Sequence, residues 1–200
     1  MLGVARQEAA REGRPVEFRE GSSDQLGSEL GRFHLLTIGR AFHWMDRPET
    51  LRRLDALVEP GGSVVLFGDE HPSVPDNRWV AVFEAVTERY AAGDAARAAW
   101  RSPDWLRHEA VLLDSPFPAL ERVGVVERRQ TPLERLVDRA LSLSSASRER
   151  IGARANDLAR ELREALAGFA RDQAVTEVVE SEALIARREP PAWEDPAVGP

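Results

Sequence analysis

FHLLTIGRAFHWMDRPETLRRLDALVEPGGSVVLFGD, residues 33–69, holds two short apolar runs on either side of an amphipathic stretch, and that alternation decides the fold class. Phe33-His34-Leu35-Leu36-Thr37-Ile38 stops at Gly39. Its length suits a strand, and so continuous an apolar run is expected of one covered on both faces. Asp46 precedes Arg47-Pro48-Glu49, so a carboxylate can cap a helix whose first turn holds a proline with helical φ and a glutamate three residues on. Leu51, Leu54, Leu57 and Val58 then share one face, while Arg52, Arg53 and Asp55 point to water. Pro60-Gly61-Gly62 stops the helix and reverses the chain, and Ser63-Val64-Val65-Leu66-Phe67 is rich in β-formers. Strand, helix and strand in this compass predict a right-handed parallel crossover.

The bulk properties narrow the partners. Two hundred residues suit one domain with a sizeable core. A net charge of -7 and a pI near 5.3 argue against a nucleic-acid partner, because phosphate binding needs clustered cations and the arginines here are dispersed among acids. The absence of cysteine excludes disulfides, thiolate metal sites and a thiol nucleophile. No apolar run approaches the roughly 20 residues of a membrane span, and the first residues lack a signal-peptide core. A soluble cytoplasmic protein without a membrane partner is the expectation. Heavy use of alanine, and of arginine over lysine, suggests a GC-rich bacterial genome.

Outward from the crossover, residues 1–11 are helix-prone with Leu2, Ala5 and Ala9 on one face. Val16-Glu17-Phe18-Arg19 alternates like a short strand and is stopped by Gly21-Ser22-Ser23. Asp76-Asn77 can cap a helix with Trp79, Val82, Phe83 and Val86 as its buried stripe. Residues 93–118 show no period. Val123–Arg128 is strand-like, and Thr131-Pro132-Leu133-Glu134 has the form of a capping box. Ile151, Ala155, Leu158, Leu162, Leu166 and Phe169 recur at helical spacing, and residues 176–187 read as a last, antiparallel strand. Residues 189–200, with four of the thirteen prolines, read as a disordered tail.

The order Phe33-His34-Leu35-Leu36-Thr37, Ala41-Phe42-His43-Trp44-Met45-Asp46, then Val58-Glu59-Pro60-Gly61-Gly62-Ser63-Val64-Val65-Leu66 resembles the centre of class I S-adenosylmethionine (SAM)-dependent methyltransferases. It is most similar to their type 11, small-molecule group, where a strand like F-D-L-V-x is followed by A-x-H-W-x-D and later by L-K-P-G-G-x-L. His34 replaces the family's usual aspartate and Glu59 its usual lysine. The resemblance implies an α/β, Rossmann-like methyltransferase sheet over residues 1–188, mostly parallel with a C-terminal antiparallel hairpin. Residues 93–118 would be an insertion covering the substrate. It also implies that the sheet is incomplete. The family's first two strands and its glycine-rich E/D-x-G-x-G-x-G loop, which bring backbone and a helix N-terminus to the cofactor, have no counterpart here and are expected before Met1. An N-terminally truncated protein, inactive or weak by itself, is the resulting expectation. Its uncovered strand edge would favour self-association.

The same resemblance suggests site residues. Methyl transfer from a sulfonium is an in-line displacement, so positioning dominates and few catalytic groups are expected. Ser22 and Ser23 would lie beside the adenine, and Thr37, Ile38 and Gly39 under the methionine portion of SAM. Arg40 would hold an acidic group of a small-molecule acceptor. His43 is the candidate base, being able to stay neutral near pH 7; its alternative is a histidine hydrogen-bonded beneath Trp44. Trp44, His71 and Trp105 are candidate acceptor contacts, with Glu70, Trp100 and His108 near them; a solvated loop explains Glu70 and His71 equally well, and packing is the more ordinary role for Trp44 and, in a hydrophobic satellite cluster, for Trp100, Trp105 and His108. Asp69-Glu70-His71 lacks the spacing of a metal site. Two other classes stay open: a methyltransferase-like relic or interaction module without catalysis, and another doubly wound enzyme such as a dehydrogenase, which would need a dinucleotide fingerprint that is not present.

Overall fold

The computed structural model describes residues 2–91 and 102–188. Expectations for residues 92–101, including Trp100, and for the 189–200 tail lie outside them. The described elements are α1 (Leu2–Arg11), β1 (Phe33–Gly39), α2 (Arg47–Leu57), β2 (Val58–Glu70), α3 (Arg78–Tyr90), α4 (His108–Leu113), β3 (Ala119–Pro132), α5 (Leu133–Ser142), α6 (Arg148–Ile151), α7 (Arg154–Leu166) and β4 (Ala174–Arg187). The strands form one sheet in the order β1-β2-β4-β3. β1 and β2 are parallel, with Leu36 opposite Val64 and Ile38 opposite Leu66. β4 lies between β2 and β3 and runs antiparallel to both. Three strands therefore point the same way, and the last reverses between two of them, which is the Rossmann-like arrangement expected.

The crossover forms for the local reasons read from the chain. Asp46 accepts a hydrogen bond from the Glu49 backbone N–H at 3.1 Å and caps α2. Gly61 has a φ of +73°, in the left-handed region. Pro60-Gly61-Gly62 does not end the helix, which stops at Leu57; it lies inside β2, where the pairing with β1 shifts register, and at Gly62 an added Cβ would lie 2.7 Å from the carbonyl oxygen of His34, so this irregular stretch runs hard against β1. Leu51, Leu54 and Leu57 of α2 meet Val64, Leu66, Leu184 and Ala186 of the sheet, together with Leu112 and Phe117, in one buried cluster. A second cluster joins Trp79 and Phe83 of α3 to Leu136 and Val137 of α5, Leu158 and Leu162 of α7, and Val175 at the start of β4. Arg188, just past β4, donates to the carbonyl of Asp55 in the last turn of α2 and to those of Val58 and Glu59 at the start of β2, tying the end of the helix to the sheet.

Several expectations need correction. Residues 16–19 form no strand; an alternating four-residue pattern has no neighbour here to pair with. β1 is not covered on both faces. Leu36 and Ile38 are half-buried against the α2 cluster, whereas Leu35, on the opposite face, is 56% exposed and belongs to neither buried cluster; β1 is also an edge strand, paired with β2 alone. Thr131 does not cap α5. Its hydroxyl donates instead to Glu177, and β3 runs on through Pro132. Asn77 does not cap α3 with its side chain; its amide pairs with both the N–H and the C=O of Val178 like an added strand residue. The helical run from Ile151 breaks at Gly152, φ +57°, and resumes at Arg154. No helix among the described residues is long and apolar enough to cross a membrane.

Candidate functional site

Two cavities flank the carboxyl end of β1, the edge at which open α/β sheets hold ligands. The first, about 570 Å³, lies between β1 and the segment of short helical turns that precedes it. Thr37, Ile38 and Gly39 form one wall, Ser22 and Ser23 the facing rim, and Leu26, Leu30, Leu36, Ala41 and Met45 an apolar floor. The five residues expected at a cofactor thus line one groove. The rim is closed on itself: the Gln25 carboxamide accepts from the Ser22 N–H at 3.2 Å, and the Ser22 hydroxyl beside Asp24 holds that carboxyl below its usual range.

The second cavity, about 450 Å³, opens over the carboxyl end of β2 and the stretch of β4 beside it, near the segment leading into α4. Arg40, His43 and Trp105 line it, as do Phe67, Asp69, Glu70, His108, Glu109, Arg122 and Glu182. Arg40 adopts a φ of +52°, a conformation unusual for a side chain of its size and one that concentrates at functional sites. Its N–H still donates to the Phe67 carbonyl at 3.1 Å, so the strand ladder runs one residue past Gly39. Its guanidinium reaches the Asp69 carboxylate at 3.3 Å. Arg107 pairs with Glu109 at 3.5 Å, and Arg122 pairs with Glu109 and, at 3.3 Å, with Glu182. Every arginine of the lining has a carboxylate beside it, and Glu70 adds a further acid.

His43 sits on the short turn Phe42–Trp44, whose Phe42 is buried in the α2 cluster. Burial, then the charges of His108, Arg40 and Arg47, push its pKa down to about 4. Burial first and Arg47 second push His108 down as well. Both imidazoles are neutral at pH 7. Their rings lie nearly parallel, at 9°, with centroids 6.4 Å apart.

The remaining expected residues lie elsewhere. Trp44, 46% exposed, packs on His43 at 5.0 Å and lines neither cavity. His71 turns away toward α3, edge-on to Trp79, and its Nε2 meets Glu177 at 2.7 Å. Sequence reasoning passed over Arg47, Glu109, Arg122 and Glu182. For Arg47 a signal existed: a cation in the first turn of a helix opposes the helix dipole unless something else holds it.

No protein-family model matches the chain. An inferred methyltransferase of Bacillus halodurans is similar in structure with a TM-score of 0.51 at 18% identity, over 94% of this chain and 78% of that one. The YcgJ protein of Bacillus subtilis has a TM-score of 0.48 at 15% identity, covering 94% and 79%. An inferred type II methyltransferase of Anaeromyxobacter dehalogenans has 0.43 at 18%, covering 78% and 65%. The first of these likenesses shows that the chain has a methyltransferase-type, Rossmann-like fold.

Proposed function

We propose that the chain is a SAM-dependent methyltransferase of a small molecule, with cofactor in the β1 groove and acceptor in the cavity over β2 and β4. The observation that carries this reading is the adjacency of the two cavities: Gly39 lines one and the next residue, Arg40, lines the other. A groove of about 570 Å³ with an apolar floor and a polar rim is within the usual few hundred Å³ of a cofactor site. Ser22, Ser23, Thr37, Ile38, Gly39, Leu26 and Met45 are the residues that would hold SAM there. Bound SAM supplies an electrophilic methyl group on a sulfonium.

The chain's own part in the chemistry is orientation and one proton. His43 lines the acceptor cavity as a neutral imidazole, which can accept a hydrogen bond. Prior removal of a proton from a phenolic hydroxyl, of ordinary pKa near 10, by a base of pKa about 4 would be uphill by about 8 kcal/mol. His43 therefore takes the proton as the new bond forms, when the acceptor oxygen becomes strongly acidic.

The second reading, a methyltransferase-like module without catalysis, is favoured by one feature: no strand, glycine-rich loop and helix unit lines the groove among the described residues. Calorimetric titration of residues 1–200 with SAM separates the two. Saturable binding that Ile38→Arg abolishes is expected, and no detectable heat at millimolar SAM would favour the module.

A further inference from the structure

Arg47, the first residue of α2, gathers the cover segment around itself. Its Nη1 donates to the Leu106 carbonyl at 2.7 Å and lies 3.4 Å from His108 Nδ1. Its guanidinium carbon sits 3.7 Å above the centre of the Trp105 ring. A guanidinium has donors and no acceptor. His108 Nδ1 must then be the unprotonated, accepting nitrogen, and Nε2 carries the hydrogen. His108, T-shaped against Phe42 at 5.2 Å and Trp105 at 6.4 Å, is held in that orientation by rings on two sides.

We propose that Arg47 is a positioning residue which latches residues 105–108 over the cavity, and that the cavity is built for an uncharged aromatic hydroxyl compound rather than an anionic one. The hydroxyl group accepts from one neutral imidazole and donates to the other, His108 being the donor and His43 the acceptor. Trp105 and the half-exposed Phe67 supply apolar ring surface beside them. Carboxylates and phosphates are disfavoured because Arg40, Arg107 and Arg122 are already matched to Asp69, Glu109 and Glu182, with Glu70 in excess. This inference rests on the methyl-transfer reading only for what happens to the bound hydroxyl.

The test needs no cofactor. In protein with ¹⁵N-labelled histidine, the shifts of His108 at pH 7 report its tautomer, and 4-methylphenol and benzoate serve as matched probes. Expected are an Nε2–H tautomer for His108 and saturable shifts of His43 and His108 with 4-methylphenol and not with benzoate. Arg47→Lys, which keeps charge without the planar fork, should leave His108 in mixed tautomers. Arg47→Met, which keeps packing on Trp105, should do the same. Each should weaken 4-methylphenol by about tenfold, the scale of one lost hydrogen bond, with the melting temperature little changed. An Nδ1–H tautomer in the parent protein, or unchanged His108 shifts in both variants, overturns the latch. Benzoate binding as tightly as the phenol, or neither probe binding, overturns the acceptor class. Both results stand whether or not SAM binds, so failure here and failure of methyl transfer are separable.

Discussion

At the scale of single residues, Glu177 makes the largest demand on the fold. It is fully buried on β4, and its carboxylate accepts from Arg129 at 2.9 Å, Arg139 at 2.6 Å, His71 at 2.7 Å and the Thr131 hydroxyl at 2.5 Å. Burial works to raise its pKa, yet the donors of Arg139, Arg129, His71 and Thr131 together hold it far below the ordinary carboxylate range. This arrangement uses His71 for structure and explains why it leaves the acceptor cavity. Breaking such a set by removing one charge leaves the others uncompensated, so Glu177→Gln is expected to destabilise the protein by about 3 kcal/mol in urea unfolding. A loss below about 1 kcal/mol would mean that neither the ion pairs nor the accepting oxygen lost in the carboxamide contributes much net stability.

At the scale of elements, the β1–α2–β2 crossover is the part on which both cavities depend. Its weak point is Gly62. A methyl group there meets the His34 carbonyl at 2.7 Å and Val58 Cγ1 at 2.9 Å, and neither belongs to a flexible side chain end. Gly62→Ala must move β1 relative to β2. The expected cost is about 1–3 kcal/mol, as for other overpacked sites, with reduced amide-exchange protection from Leu35 to Gly39. Gly61→Ala would be strained by its φ instead, without touching β1. Exchange protection therefore separates the two causes: loss of protection in β1 for both variants would show that the turn, not the close approach, sets the strand spacing.

At the scale of the whole molecule, the titrating groups add to one acid response. His43 and His108 have folded pKa values below the unfolded 6.5, so protonation favours the unfolded chain and their contribution is lost as pH falls below about 6.5, for His43 down to about 4. Glu177 has a folded pKa below the unfolded 4.5, so its stabilisation is complete above that value and fades below it. The melting temperature should decline gently from pH 6.5 and more steeply below about 4.5. A flat profile down to pH 5 by calorimetry would mean that the two imidazoles are not kept neutral by the fold.

Local signals were enough for the crossover. The apolar runs and the Asp46 cap each act within a few residues of themselves, and they place Thr37, Ile38, Gly39, Arg40 and His43 at one strand end. What the chain alone could not decide were matters of pairing between distant segments. Whether β1 is covered depends on which elements pack against each of its faces, and a run of apolar residues carries no record of its neighbours. Thr131 and Asn77 look like helix caps locally, but Glu177 and Val178, reached only through the sheet, compete for the same polar atoms and win. Arg47 stands 59 residues from Leu106 in the chain, and only tertiary packing brings its guanidinium over Trp105 and beside His108.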